Sequence, residues 1–225
     1  MKNIIALLLA GLMLLTFVAC SGETNNGENS STTGSVTTAD PNVEKEPSEL
    51  EISANASVKY IAETLMGKYE EYTNLRGIYD EYMAELEPAD RIPYEEFLSY
   101  QTHVAPVEDM EYGLMGIPTV PAGIGEIYVY QPAMGTIPFI GYVIRVTEGT
   151  DVENFKKELV ANSDPRWNFC TEANTTVCES FGDIVYFMMM SVVDENNPDA
   201  FSIEQKDGFT AAFLEAVKVP ATAEK

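Results

Sequence analysis

Past a long polar stretch, apolar side chains recur every three or four residues, which is typical of amphipathic helices. One helical set consists of Val58, Ile61, Leu65, Tyr69 and Tyr72. A second set consists of Leu75, Ile78, Tyr79, Tyr82, Met83 and Leu86. Ser57 or Asn55 can cap the first helix, and Gly77 can divide the two. Pro88 ends the second helix, and Pro93 predicts a further short helix that has this proline in its first turn.

The second half of the chain carries strand-like patterns. Residues 126–131 alternate in polarity and residues 139–147 are β-branched and aromatic, so the two segments are predicted to be paired strands. Residues 169–172 and 176–179 are predicted to form a small hairpin. The run 184–193 begins without a polar face, which is expected of a central strand covered on both sides.

Two helices accompany these strands. Thr150 followed three residues later by Glu153 predicts a capping box at the start of one helix. The apolar face of that helix is Val152, Phe155, Leu159 and Val160. A last helix is predicted over residues 206–218. The order, helices followed by a β-β-α-β-β-α module, predicts an α+β fold with a largely antiparallel sheet.

The first 20 residues have the pattern of an export signal. Lys2 gives a positive start, and an apolar run from residue 4 to residue 18 follows. A membrane-spanning helix needs about 20 apolar residues, and this run is shorter. Residues 17–20, F-V-A-C, resemble the lipobox of bacterial lipoproteins, with phenylalanine where leucine is commoner. An ordinary signal peptide cleaved at an A-x-A-like site and a single-pass anchor are the alternatives.

The resemblance to bacterial lipoproteins implies a location. Residues 1–19 would be a signal peptide that is removed, and the thiol of Cys20 would carry a diacylglyceryl group. Two acyl chains hold a protein on a membrane durably, whereas one chain does so only marginally. The resemblance therefore implies attachment to the outer face of the cytoplasmic membrane through Cys20.

The segment after Cys20 has little to bury. Residues 20–53 are rich in Ser, Thr, Asn, Gly and Glu, so we expect a disordered acidic linker that acts as a spacer, or alternatively as a binding tail. Residues 54–220 are long enough for one α+β domain with its own core.

A second resemblance concerns the whole arrangement of signal, acidic spacer and β-β-α-β-β-α module. It is carried by residues 115–130, where small and proline residues lead into G-E-I-Y-V, and by the helix that begins at Thr150. These features resemble lipoproteins of single-membrane bacteria that carry domains of unknown function. The resemblance implies architecture and location, and it transfers no catalytic residues.

Charge excludes some classes of partner. The formal net charge is −23, and loss of Lys2 with the signal peptide makes the mature chain more negative by one unit. Nucleic acids and anionic lipids are bound through basic patches, so we expect neither to be an electrostatic partner.

Two cysteines of the folded domain are candidates for a disulfide. With Cys20 lipidated, Cys170 and Cys178 remain in an exported domain, where disulfides form. A three-residue turn at residues 173–175 would place the two opposite each other at a separation that permits a disulfide. Two reduced thiols are the alternative.

Other catalytic and metal-binding chemistry has weak support. His103 is the single histidine and has no nucleophile motif beside it, so we expect no catalytic triad and no zinc site. Neighbouring acidic pairs occur at Glu95 with Glu96, Glu108 with Asp109, and Asp194 with Glu195. Residues 194–199 lack the glycine and glutamate of a calcium-binding EF-hand loop, and residues 123–125 lack the third glycine of a dinucleotide fingerprint. We therefore predict no catalytic residue, metal or cofactor.

Tyrosine is enriched at 12 residues and gives binding area at low entropic cost. Helical spacing nevertheless predicts that Tyr69, Tyr72, Tyr79 and Tyr82 pack inward. The function we expect is that of a non-enzymatic, membrane-tethered binding module, with an envelope protein or glycan as partner. The alternative is a cell-envelope hydrolase that uses paired carboxylates. Converging carboxylates in a cleft would favour the hydrolase, and an exposed aromatic patch without them would favour the binding module.

Overall fold

The computed structural model of the protein describes residues 46–110, 113–133, 137–167 and 172–223. These residues belong to one compact unit of the chain. The predictions for the signal peptide, Cys20, Cys170 and most of the linker lie outside the described residues.

Four α-helices come first in the described chain, with a short 3₁₀ helix, Pro88–Asp90, between the last two. They are α1 (Glu49–Ser53), α2 (Val58–Tyr72), α3 (Leu75–Glu85) and α4 (Tyr94–Gln101). Ser57 caps α2 by accepting a hydrogen bond from the backbone N–H of Tyr60. The break between α2 and α3 lies at Asn74, whose φ of 52° is left-handed, and Gly77 lies inside α3.

A five-stranded antiparallel sheet follows. Its strands are β1 (Thr102–Pro106), β2 (Ile124–Pro132), β3 (Phe139–Val146), β4 (Thr175–Phe181) and β5 (Ile184–Met190). The remaining helices are α5 (Val152–Ala161) between β3 and β4, and α6 (Ile203–Ala216) after β5. The strand order is β1-β2-β3-β5-β4, and each neighbouring pair is antiparallel. This arrangement confirms the predicted α+β class and the antiparallel sheet.

The sheet buries both of its faces, with α2 and α6 packed on one and α5 on the other. All seven residues of β5 are buried, which confirms a central strand covered on both sides. Its even-numbered residues, such as Tyr186 and Met188, enter the core under α2 and α6. Its odd-numbered residues, such as Phe187 and Met189, enter the core under α5.

Strand pairing differs from the sequence prediction in two places. β1 was not predicted as a strand, yet it pairs with β2 from Thr102, opposite Pro132, onward. β4 pairs along its whole length with β5 through a turn at Gly182, so β5 is the hairpin partner of residues 176–179. Glu172, the described end of the other predicted arm, lies outside the strands.

Two helix starts were also placed wrongly. Asp151, not Thr150, caps α5 by accepting from the backbone N–H of Asn154. The helix α6 begins at Ile203, ahead of the predicted start, because Ser202 and Gln205 form a capping box.

Regular structure begins earlier in the chain than the composition of the sequence indicates. The helix α1 lies in the stretch assigned to the linker, and it has its own capping box between Ser48 and Glu51. Ser53, the last residue of α1, is buried, and its hydroxyl accepts from the backbone N–H of Asp183 at 3.2 Å. The folded part therefore includes residues before Ala54.

Candidate functional site

A cleft of about 650 Å³ opens beside the junction of α2 and α3. Its volume lies in the range of about 300–1,000 Å³ that is usual for ligand sites. It is lined by Tyr69, Tyr72, Thr73, Leu75, Ile78, Gln101, Ile137, Asp199, Ala200, Phe201 and Gln205. We call this set the α2–α6 cleft, since its walls come from the end of α2 and from the segment that leads into α6.

The aromatic wall of the cleft is held by the core behind it. The Tyr69 ring lies 4.7 Å from that of Phe139 and 6.0 Å from that of Phe201, measured between centroids. Tyr72 meets Phe209 edge-on at 5.2 Å. Such packing fixes the rings before any ligand arrives, which lowers the entropic cost of binding.

A glycine in α6 makes room for Tyr72. A Cβ atom at Gly208 would lie 2.0 Å from the Tyr72 hydroxyl oxygen, which is far inside contact distance. Glycine within a helix costs about 1 kcal/mol relative to alanine. Gly208 therefore gives up helix stability and allows Tyr72 to stand at the edge of the cleft.

The corner between α2 and α3 shapes the opening. The Thr73 hydroxyl donates to the Tyr69 carbonyl at 2.6 Å, and the left-handed Asn74 then separates α2 from α3. Leu75 and Ile78, at the start of α3, lie on the cleft wall. Ile78 is 49% exposed, so part of this wall is apolar and open to solvent.

Polar groups on the cleft wall are available to a ligand. Within the described part of the chain, neither the Asp199 carboxylate nor the Gln101 amide has a hydrogen-bond or ion-pair partner. The side-chain carbonyl of Gln205 accepts a hydrogen bond from the backbone N–H of Ser202, so the side-chain NH₂ group of Gln205 can donate to a ligand. Burial raises the pKa of Tyr69, so its hydroxyl stays protonated at neutral pH.

Sequence reasoning named four lining residues of this cleft, but only as members of helical apolar sets: Tyr69, Tyr72, Leu75 and Ile78. Tyr69 was predicted to pack inward and is buried, whereas Tyr72 and Tyr79 are half-buried. The prediction was wrong for Tyr82, which is 50% exposed. Asp199 was considered only as part of residues 194–199, which lack the pattern of a calcium-binding loop, and Phe201 had no assigned role.

The residues considered for acid–base or metal chemistry lie elsewhere. His103 is exposed on β1 opposite Gln131. The acidic pairs that the sequence offered are exposed and do not line the α2–α6 cleft. Asp194 accepts from the backbone N–H groups of Asn196 and Asn197 and so closes its own turn. The described residues contain no cluster of metal-ligating side chains.

Cys178 lies on β4 opposite Phe187, and its half-buried side chain faces α5. Burial raises the pKa of its thiol to about 12, so a Cys178 thiol is unreactive at neutral pH. Cys170 lies outside the described residues, and a disulfide between the two stays a prediction.

Comparison of the chain with models of protein families, with curated proteins and with solved structures finds no match in any of the three. Functional inference therefore rests on the residues and geometry of the chain itself.

Proposed function

We propose that the protein is a non-enzymatic binding module, held on the outer face of the cytoplasmic membrane by a diacylglyceryl group on Cys20. In this proposal the α2–α6 cleft receives a ligand presented by an envelope protein or glycan. The observation that carries the binding role is the preformed wall of Tyr69, Tyr72 and Phe201 beside unpartnered polar groups.

The number of carboxylates in the cleft favours a binding role over a hydrolytic one. Glycoside hydrolysis uses two carboxyl groups, about 5 to 9.5 Å apart, one on each side of the scissile bond. Among the described lining residues, Asp199 is the one carboxylate. A single exposed carboxylate can orient a ligand, but it lacks the acid–base partner that the alternative function requires.

Support for the anchor comes from the lipobox-like residues 17–20. In the part of the chain that the structure describes, no helix is long and apolar enough to span the membrane. The polar residues after Cys20 provide a spacer between the lipid and the folded domain.

Methyl NMR on the full chain in dodecyl maltoside micelles tests the binding role, with Ile78 and Ile137 as cleft reporters and buried Ile144 as a distant control. A mixture of amines, alcohols, carboxylates and short glycans should contain compounds that shift the reporters but not Ile144. Tyr72→Ala should weaken such binding about tenfold or more, because it removes one of the three rings of the aromatic wall. Cleavage of a glycan that stops in Asp199→Asn would replace the binding role with the hydrolase alternative.

A further inference from the structure

We propose that the α2–α6 cleft selects a small organic cation, with its ammonium group at Asp199 and its apolar body against the aromatic and aliphatic wall. This inference rests on the proposed binding function and names the chemical class of the ligand.

Charge complementarity is the first argument. Asp199 is exposed and has no hydrogen-bond or ion-pair partner among the described residues, so its charge remains available. No lysine or arginine occurs among the described lining residues. The chain as a whole carries a formal charge of −23, which raises the local concentration of cations and repels anions.

The aromatic wall is the second argument. Tyrosine rings attract cations through their quadrupole when the cation lies within about 6 Å of the ring centroid. The Tyr72 ring already makes one such contact, since the ammonium of Lys68, which does not line the cleft, lies 5.7 Å from its centroid while it donates to Glu71. The electrostatics of the Tyr72 ring therefore suit an ammonium group.

The remaining lining separates an organic cation from a polyhydroxylated ligand. Leu75, Ile78, Ile137 and Ala200 contribute aliphatic surface to the cleft. A sugar would leave many hydroxyl groups against these side chains without partners, which is costly. A ligand with one charged end and an apolar body matches both the single carboxylate and the aliphatic surface.

Three probes with the same carbon skeleton but different charge test the role of the ammonium group: 2-phenylethylammonium, 2-phenylethanol and phenylacetate. Their affinities are measured on the full chain in dodecyl maltoside from the Ile78 and Ile137 methyl shifts, with empty micelles as the blank. We expect the ammonium probe to bind about tenfold or more tightly than the alcohol, and the carboxylate probe to bind weakest. Equal affinity of the ammonium and alcohol probes would overturn the proposed ligand class.

Two charge-neutralising variants locate the contact. Asp199→Asn should lower the affinity for the ammonium probe about five- to tenfold and leave the affinity for the alcohol unchanged. Glu195→Gln removes the same charge from an exposed residue of the same loop that does not line the cleft, so affinity should change less than about twofold. Equal losses in both variants would mean that the general field, and not Asp199, selects the probe, which contradicts the inference.

Binding of the alcohol probe distinguishes a failure of the proposed ligand class from a failure of the proposed binding function. Reporter shifts with 2-phenylethanol that match those of the ammonium probe would overturn the cation class and leave the cleft as a binding site. If neither these probes nor N,N′-diacetylchitobiose nor the broader mixture shifts Ile78 and Ile137, the binding function and the cation class are both overturned.

Discussion

Arg145 and Asp183 form an ion pair of 2.7 Å between the end of β3 and the β4–β5 turn. The Arg145 guanidinium also donates to the backbone carbonyls of Ser53 and Ala56, at 3.1 and 2.7 Å, and its Nε lies 3.9 Å from the Glu126 carboxylate on β2. One side chain thus connects two sheet segments to the chain that joins α1 to α2. Both partners of the pair are only 22% exposed, so solvent screens the contact less than it screens a surface pair.

Replacing Arg145 should therefore cost far more than replacing an exposed arginine. Arg145→Met is expected to lower the free energy of unfolding by about 2 to 4 kcal/mol, because Asp183 and two carbonyls lose their partner. Arg166→Met breaks an ion pair in which Arg166 is 74% exposed, and it should cost less than about 1 kcal/mol. Urea unfolding measures both, and equal losses would contradict the connecting role of Arg145.

The amino-terminal boundary of the folded part follows from the same contacts. A Cβ atom at Gly182 would lie 2.1 Å from the Ser53 hydroxyl oxygen, and the φ of Gly182 is +59°. Limited proteolysis followed by mass spectrometry should leave a core that begins before Ser48. In Gly182→Ala, loss of the α1 contact should move the first cleavage to residues 49–57. A wild-type core that begins after Ser53 would show that α1 is not held against the turn.

The helical glycines of α2 and α6 should respond to alanine with opposite signs. Gly67 has no atom within 4 Å of an added Cβ, so Gly67→Ala should raise stability by about 0.5 to 1 kcal/mol. Gly208→Ala should lower stability by about 1 to 2 kcal/mol, because the new methyl group displaces the Tyr72 hydroxyl. Removing that hydroxyl with Tyr72→Phe should recover most of the loss, as a double-mutant cycle in urea would show. If the cycle finds no coupling, Gly208 does not make room for Tyr72.

Local patterns predicted the helices α2 to α6 and the central strand because these elements bury apolar side chains in a regular pattern, whereas α1 was missed. The periodic residues of α2 and the wholly apolar β5 are examples. β1 was missed because T-H-V-A-P is short, half polar and ends in proline, and it becomes a strand only by pairing with β2. The cleft was missed because Tyr72 and Phe201 come to line one cleft only after the chain has folded, and no local spacing relates them.

Anchoring at Cys20 predicts a change of location. Cys20→Ser should abolish incorporation of a fatty-acid label and move the protein out of the membrane fraction, because the acyl chains supply the membrane affinity. Cys178→Ser is the matched control, since it also removes one thiol, and it should leave both label and location unchanged. Label retained by the Cys20→Ser protein would exclude the lipobox assignment of residues 17–20.

The last prediction concerns Cys170 and Cys178, which we expect to be joined by a disulfide in exported protein matured under oxidising conditions. The loss of chain entropy predicts that a bridge closing the short loop from Cys170 to Cys178 contributes about 2.6 kcal/mol to stability. Replacing both cysteines with alanine should therefore lower the free energy of unfolding by about 2 to 4 kcal/mol. Non-reducing peptide mass spectrometry after denaturation tests the bridge, and two freely alkylated cysteines would refute it.

The burial of Cys178 supplies a second measurement. A reduced Cys178 with a thiol pKa of about 12 should resist alkylation in the native state near pH 8 and become reactive only as the pH rises toward that value, since the thiolate is the nucleophile. In a bridged protein, alkylation of Cys178 should be absent across that whole pH range, and it should appear only after reduction and denaturation.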